Sequence, residues 1–306
     1  MKRYILTIMM IILFISCEDV VEVELPENVT RLIVNGVIRV DEAEEYLPIE
    51  IVVSESSSFF EENTVASIES ATIYYGTPSP DSPEILEGGG VSNLAEVEQG
   101  SGKWIPDPTL DSDQRISVNS INEGDVFQLI IQTNDEQYIA TTTYVKSVPI
   151  DSLEQGNKTL FSGDETEVIV TFTDRGDSDD FYVLDLDFGN FIVTEDEFYQ
   201  GQTFVFSYFY DNELKPNTSS TIIIRILGVD EQFYNYMNQI IVQSGDAQGP
   251  FQTPAATVRG NIINITGIDN DEVANNVARS DNYALGYFAI VEEYTESIVI
   301  TNDETN

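Results

Sequence analysis

The sequence predicts a mainly β chain: an N-terminal immunoglobulin-like β-sandwich followed by a second β-rich domain with one packed α-helix. Three observations predict it. Isoleucine outnumbers leucine 34 to 16, and tyrosine plus phenylalanine number 31; β-branched and aromatic residues suit half-buried pleated surfaces. Short runs that alternate apolar and polar residues recur between turn signals. Near 231–243, by contrast, the apolar residues fall at helical spacing.

The first such run is Leu32 to Val40, with Gly36 marking a bulge. Ile49 to Val53 and Ala71 to Tyr75 follow. Residues 77–95 carry Pro78, Pro80, Pro83 and Gly88-Gly89-Gly90, which predicts little regular structure. Val126 to Gln132 and Tyr138 to Val145 form a hairpin around Asn134-Asp135, with Phe127, Leu129 and Ile131 on one side. The first domain thus spans 28–147. Val148-Pro149-Ile150-Asp151-Ser152 reads as a linker, because proline holds its predecessor extended and polar residues follow. The second domain, 153–303, has strands at Glu167–Thr173, Phe181–Phe188, Phe191–Thr194, Thr203–Tyr210 and Thr221–Val229. Asp230 can N-cap a helix over about 231–243. Its stripe is Phe233, Tyr236, Met237, Ile240 and Ile241, read as a side packed on a sheet, with Gly245 and Pro250 ending the helix. Ile262–Ile265, Ala284–Val291 and Ser297–Ile300 close the chain as strands.

Residues 1–16 read as a signal peptide. Lys2 and Arg3 precede the apolar run Tyr4 to Ile15, interrupted only by Thr7. That run is shorter than the roughly 20 residues a membrane-spanning helix needs. Phe14-Ile15-Ser16-Cys17 resembles a lipobox, and Cys17 is the only cysteine of the chain. Cys17 is therefore the expected lipidation site, with residues 17–27 as the tether. The competing reading is an ordinary signal peptide with a chance cysteine. Glu18 and Asp19 resemble the surface-export signal of some Gram-negative lipoproteins.

Composition removes whole classes of chemistry. The chain has 306 residues, 54 acidic and 13 basic, a net charge of −41, and no histidine. No Ser-His or Cys-His nucleophile pair can form, and no histidine-ligated metal site. A single cysteine allows no internal disulfide and no iron-sulfur cluster. The charge opposes nucleic-acid binding, which needs cations against phosphate. Its plain reading is a solvated acidic surface. Carboxylate catalysis and calcium binding remain. Asp174-Arg175-Gly176-Asp177-Ser178-Asp179-Asp180 is the densest acidic run, with Asp177, Asp179 and Asp180 as calcium candidates. It lacks the order of an EF-hand loop, and an acidic turn between strands is the preferred reading. Asp269-Asn270-Asp271-Glu272 is read the same way. Trp104, Tyr208, Phe209 and Tyr210 are conceivable sugar-stacking platforms, although most such aromatics are core. Asp151-Ser152-Leu153 resembles an O-glycosylation acceptor.

An ordered series of motifs runs Cys17-Glu18-Asp19, Leu32-Ile33-Val34-Asn35-Gly36, Gly102-Lys103-Trp104, Gly124-Asp125-Val126-Phe127-Gln128-Leu129 and Pro149-Ile150-Asp151-Ser152-Leu153. Near the C-terminus follow Pro250-Phe251, Gly260-Asn261-Ile262 and Ala284-Leu285-Gly286-Tyr287-Phe288. The series resembles the lipoprotein family called domain of unknown function 4249 (DUF4249). The resemblance implies an outer-membrane lipoprotein, often encoded beside a TonB-dependent transporter. It implies no activity, no cofactor and no catalytic residue. The expected function is non-enzymatic: a lipid-anchored accessory to such a transporter, facing the cell exterior, with a glycan or peptide as ligand. The alternatives are a glycan hydrolase using a carboxylate pair and a structural or adhesive surface protein.

Overall fold

A computed structural model describes residues 30–57, 64–160, 163, 165–210, 219–244, 257–267 and 283–301. Among the described residues the chain is mainly β, with 57% of them in strands and a single α-helix. The first eight strands are β1 (Leu32–Val40), β2 (Ile51–Glu55), β3 (Thr64–Val65), β4 (Ile68–Ser79), β5 (Ser82–Glu96), β6 (Lys103–Pro106), β7 (Val126–Thr133) and β8 (Gln137–Thr143). The rest are β9 (Ile150–Gln155), β10 (Thr166–Thr173), β11 (Phe181–Asp185), β12 (Phe191–Glu195), β13 (Thr203–Tyr210), β14 (Ser219–Val229), helix α1 (Glu231–Ser244), β15 (Ile262–Asn264) and β16 (Leu285–Thr301).

Thirteen strands form one sheet in the order β12-β11-β14-β16-β1-β2-β6-β5-β4-β7-β8-β15, with β3 beside β2. Beyond β8 the ladder returns on itself, because Val145 bridges Val291 of β16. Inward residues of nine of these strands, β1, β2, β4 to β8, β15 and β16, make the first core. Val34, Ile51, Ile73, Phe127, Leu129 and Ile131 are all buried in it. Phe127, Leu129 and Ile131 do share one face, as their period-2 spacing requires. Gly36 makes no bulge: its register with Phe288 is unbroken, and a Cβ there would meet the Phe288 ring at 3.2 Å.

Residues 77–95, expected to be irregular, are largely strand. β4 and β5 form a hairpin from Ala71↔Leu94 to Ser79↔Ser82, with register shifts at Tyr75/Thr77 and Pro78/Ser79. β7 pairs with β4 only as far as Gly76, so the far end of the hairpin has no outer neighbour. An edge ladder tolerates proline because a missing N–H costs no internal bond there.

The remaining three strands pair as β13-β10-β9 and face the large sheet in a sandwich-like arrangement. Between them lies the second core, with Val168, Val170 and Phe172 of β10 against Tyr182, Leu184, Ile222 and Ile224. Val148 and Ile150 belong to this core, and β9, which starts at Ile150, pairs with β10. Helix α1 covers the opposite face of the large sheet, where Phe233 packs with Val183, Leu227, Val229 and Tyr287. Burial on both faces explains the consecutive buried residues of β11 and of the end of β14. Asp230 caps the helix as its side chain predicted: its Oδ1 accepts from the Phe233 N–H at 2.7 Å. Of the expected stripe, Phe233 is buried and Tyr236 and Met237 are partly buried against the sheet.

β16 is one strand of 17 residues, where two were expected. It runs parallel to β1 from Leu285 to Glu292 and antiparallel to β14 from Glu292 to Thr301. The acidic stretch after Val291 does not break it, because arginines on neighbouring strands meet it. Arg39 of β1 reaches Asp185 and Glu293 at 2.8 and 3.1 Å, and Arg225 of β14 approaches the same two carboxylates. Such cross-strand pairs each contribute about 0.2–1 kcal/mol. Ala284, Phe288 and Ile290 complete the first core, and Ile300 belongs to the second.

Glu292 stands where β16 changes partner, paired with Val40 on one side and Gly228 on the other. It is 1% exposed. It accepts from the Ser147 N–H at 2.6 Å and the Tyr144 hydroxyl at 3.2 Å. Glu42, Lys146 and Tyr294 also face it. Burial pushes its pKa up to about 7, and the nearby Glu42 carboxyl adds to the rise. A raised acid pKa means that the folded state holds the proton more tightly. The resulting stability is complete below the unfolded value near 4.5 and is lost as pH rises through about 7. Glu292→Gln should therefore flatten the fall in melting temperature between pH 5 and 8, by the equivalent of about 2 kcal/mol. Thermal melts across that range check this; an unchanged slope would assign the dependence elsewhere.

Candidate metal centre

Three aspartates converge at one end of the second core. Asp174 follows β10, Asp180 precedes β11, and Asp196 follows β12. The β11–β12 hairpin pairs Phe181 with Glu195, which sets Asp196 beside Asp180, and the Asp196 N–H donates to the Asp180 carbonyl at 3.2 Å. Asp174 is 5% exposed, Asp180 2% and Asp196 4%. One carboxylate oxygen from each lies within 4.8 Å of the others.

Two of the three carboxylates are fixed by donors. Asp174 accepts from the Tyr182 hydroxyl at 2.7 Å and from the Gly201 N–H at 2.8 Å. Asp180 takes both arms of Arg175, at 3.1 and 2.5 Å, and the Ser178 hydroxyl at 3.0 Å. Arg175 also holds Glu123, which precedes β7, at 2.6 Å. The close approach of Gly176 to Gly201 draws the two loops together: a Cβ on Gly201 would sit 3.0 Å from the Gly176 Cα. Asp196 differs. Its Oδ2 is buried and has no hydrogen-bond partner. Burial, and then the charges of Asp174, Asp180 and Asp179, hold its pKa above the usual carboxylate value. Burial likewise pushes the Tyr182 hydroxyl up, followed by its bond to Asp174.

Chemically, the trio offers hard oxygen donors around a buried centre. All three are buried, and none of them lines either of two surface clefts, one at 106–115 and one bounded by Arg31, Glu55 and Glu136.

The family model described as Domain of unknown function (DUF4249) matches residues 18–297. The chain belongs to that family. Comparison with curated proteins finds no match.

The DUF4249 match takes in all three aspartates, and Gly260-Asn261-Ile262 and Ala284-Leu285-Gly286-Tyr287-Phe288 find structural roles within it. Asn261 clasps β16, its Nδ2 donating to the Phe288 carbonyl at 2.7 Å and its Oδ1 accepting from the Phe288 N–H at 3.0 Å. A Cβ on Gly260 would lie 1.6 Å from the Gly286 carbonyl oxygen. These two motifs are thus a packing joint. Among the calcium candidates, Asp180 enters the trio, whereas Asp177 and Asp179 are exposed. Asp174 opens the acidic run but was not among the three candidates. Asp196 lies in Glu195-Asp196-Glu197, and only the β11–β12 pairing brings it near. Of the proposed sugar platforms, Trp104 and Tyr210 are buried in the two cores, and Tyr208 and Phe209 are half-buried. Ser152 of the glycosylation-like tripeptide sits within β9. Cys17, the tether, Pro250-Phe251 and Asp269–Glu272 lie outside the described residues.

Proposed function

We propose that this DUF4249 protein is a non-enzymatic lipoprotein of the outer membrane, facing the cell exterior, that assists a TonB-dependent transporter in capturing a glycan or peptide nutrient. The observation that carries this reading is the position of the only cysteine, Cys17, at the end of a short apolar run. Thirteen residue steps separate Cys17 from Thr30, the first described residue. Fully extended, they reach at most about 45 Å. A lipid on Cys17 would keep the β body that close to the bilayer. A membrane-resident partner then gains effective concentration, and a weak interface suffices. The partner's identity comes from the setting that the family resemblance implies.

The second half of the chain leaves Phe198 84%, Val299 64% and Val205 56% exposed. A photo-crosslinking amino acid at each of these positions, in the full chain in intact cells, should trap an outer-membrane transporter. The same probe at Tyr74 is the comparison for the first half. If none of these positions yields a transporter adduct, the reading fails. Deleting 153–306 is not a usable test, because that removes the β16 residues that complete the first core.

A further inference from the structure

We propose that Asp174, Asp180 and Asp196 bind one calcium ion, which clamps the small sheet to the large one at this end of the second core. The ligands come from both sheets: Asp174 leaves β10 of the small sheet, while Asp180 and Asp196 flank the β11–β12 hairpin of the large one. Three carboxylates face a single guanidinium, Arg175, which Glu123 shares, so the centre is net negative and favours a cation. The observation that points to a ligand is the buried Asp196 Oδ2, which has no hydrogen-bond partner. A desolvated carboxylate oxygen without a donor is costly, and a cation removes that cost.

The donor set selects the ion. With no histidine, and with Cys17 as the only cysteine, the centre is all oxygen, which suits hard cations. Calcium accepts irregular shells of six to eight oxygens at about 2.3–2.6 Å. Oxygens within 4.8 Å of one another can share such an ion. Magnesium demands a compact, near-ideal octahedron. Tyr182, Gly201 and Arg175 already constrain two of the carboxylates here, so that octahedron is hard to form.

The test uses the full chain, purified in mild detergent, stripped with a chelator and held at high sodium chloride to screen the acidic surface. Calorimetric titration with calcium chloride should show one saturable site. Saturation should raise the melting temperature by about 5–10 °C. Magnesium chloride should give a clearly smaller shift. Asp196→Asn should lose the saturable binding and the calcium shift. It should also melt higher than the parent without calcium, because one like charge is gone. Asp174→Asn should lose calcium binding as well, while Asp177→Asn and Asp179→Asn should keep it. No saturable binding in the parent, equal shifts with both ions, or a retained calcium shift in Asp196→Asn would each overturn the site. None of these outcomes bears on the transporter reading.

Discussion

Gly286→Ala should destabilise the protein by about 3 kcal/mol or more, lowering the melting temperature by about 10 °C. Gly286 sits at φ +86°, where a side chain is strained. A Cβ there would lie 1.9 Å from the Val34 carbonyl oxygen, and backbone cannot swing aside as a flexible side chain can. Val34 pairs with Gly286 in the parallel ladder of β1 and β16, so relief of the clash must open that ladder. Gly100→Ala is the control. Its φ is +83°, but nothing lies within 4 Å of its Cβ position. It should cost only about 1 kcal/mol, the backbone strain alone. Equal losses in thermal melts of the two variants would show that the packing joint contributes nothing.

Cys17→Ala should move the protein from the membrane fraction to the soluble fraction, with loss of metabolic lipid labelling. Each buried CH₂ of an acyl chain contributes about 0.8 kcal/mol, and two or more chains anchor stably. The described residues contain no helix long and apolar enough to cross a membrane. If the variant stays membrane-bound after a high-salt wash, the lipid anchor is wrong and the proposed function loses its main support.

Much of the strand pattern is legible because one side of many strands, β1 and β7 among them, is the more exposed. β1 alternates buried and less buried residues along its whole length, and its bounds match the sequence pattern. Helix α1 was legible because Asp230 and the Phe233 stripe carry a cap and a period. β5 was hidden by Pro83 and the three glycines, residue types that break central strands but sit without penalty on an open edge. The run Glu292 to Glu296 looked like a break in β16, because the arginines that meet it lie more than 60 residues away in sequence. For the same reason the aspartate trio was only partly legible. Local density draws the eye to 174–180, but burial selects Asp174 and Asp180 and passes over Asp177 and Asp179. Asp196, Glu42 and Glu292 carry no local mark at all; strand pairing and loop packing assign them.

The single long β16 bears on how the chain is made. Synthesis delivers β1 some 250 residues before the strand that lies parallel to it. Until then the first half has an unpaired strand edge and a core that lacks Phe288 and Ile290. Contacts of such long sequence separation make folding slow. The nascent chain therefore stays incompletely folded until β16 has emerged. Under the export that the proposed function entails, that delay would serve passage across a membrane. The same delay exposes the β1 edge to other chains, and the acidic surface limits that hazard through mutual repulsion.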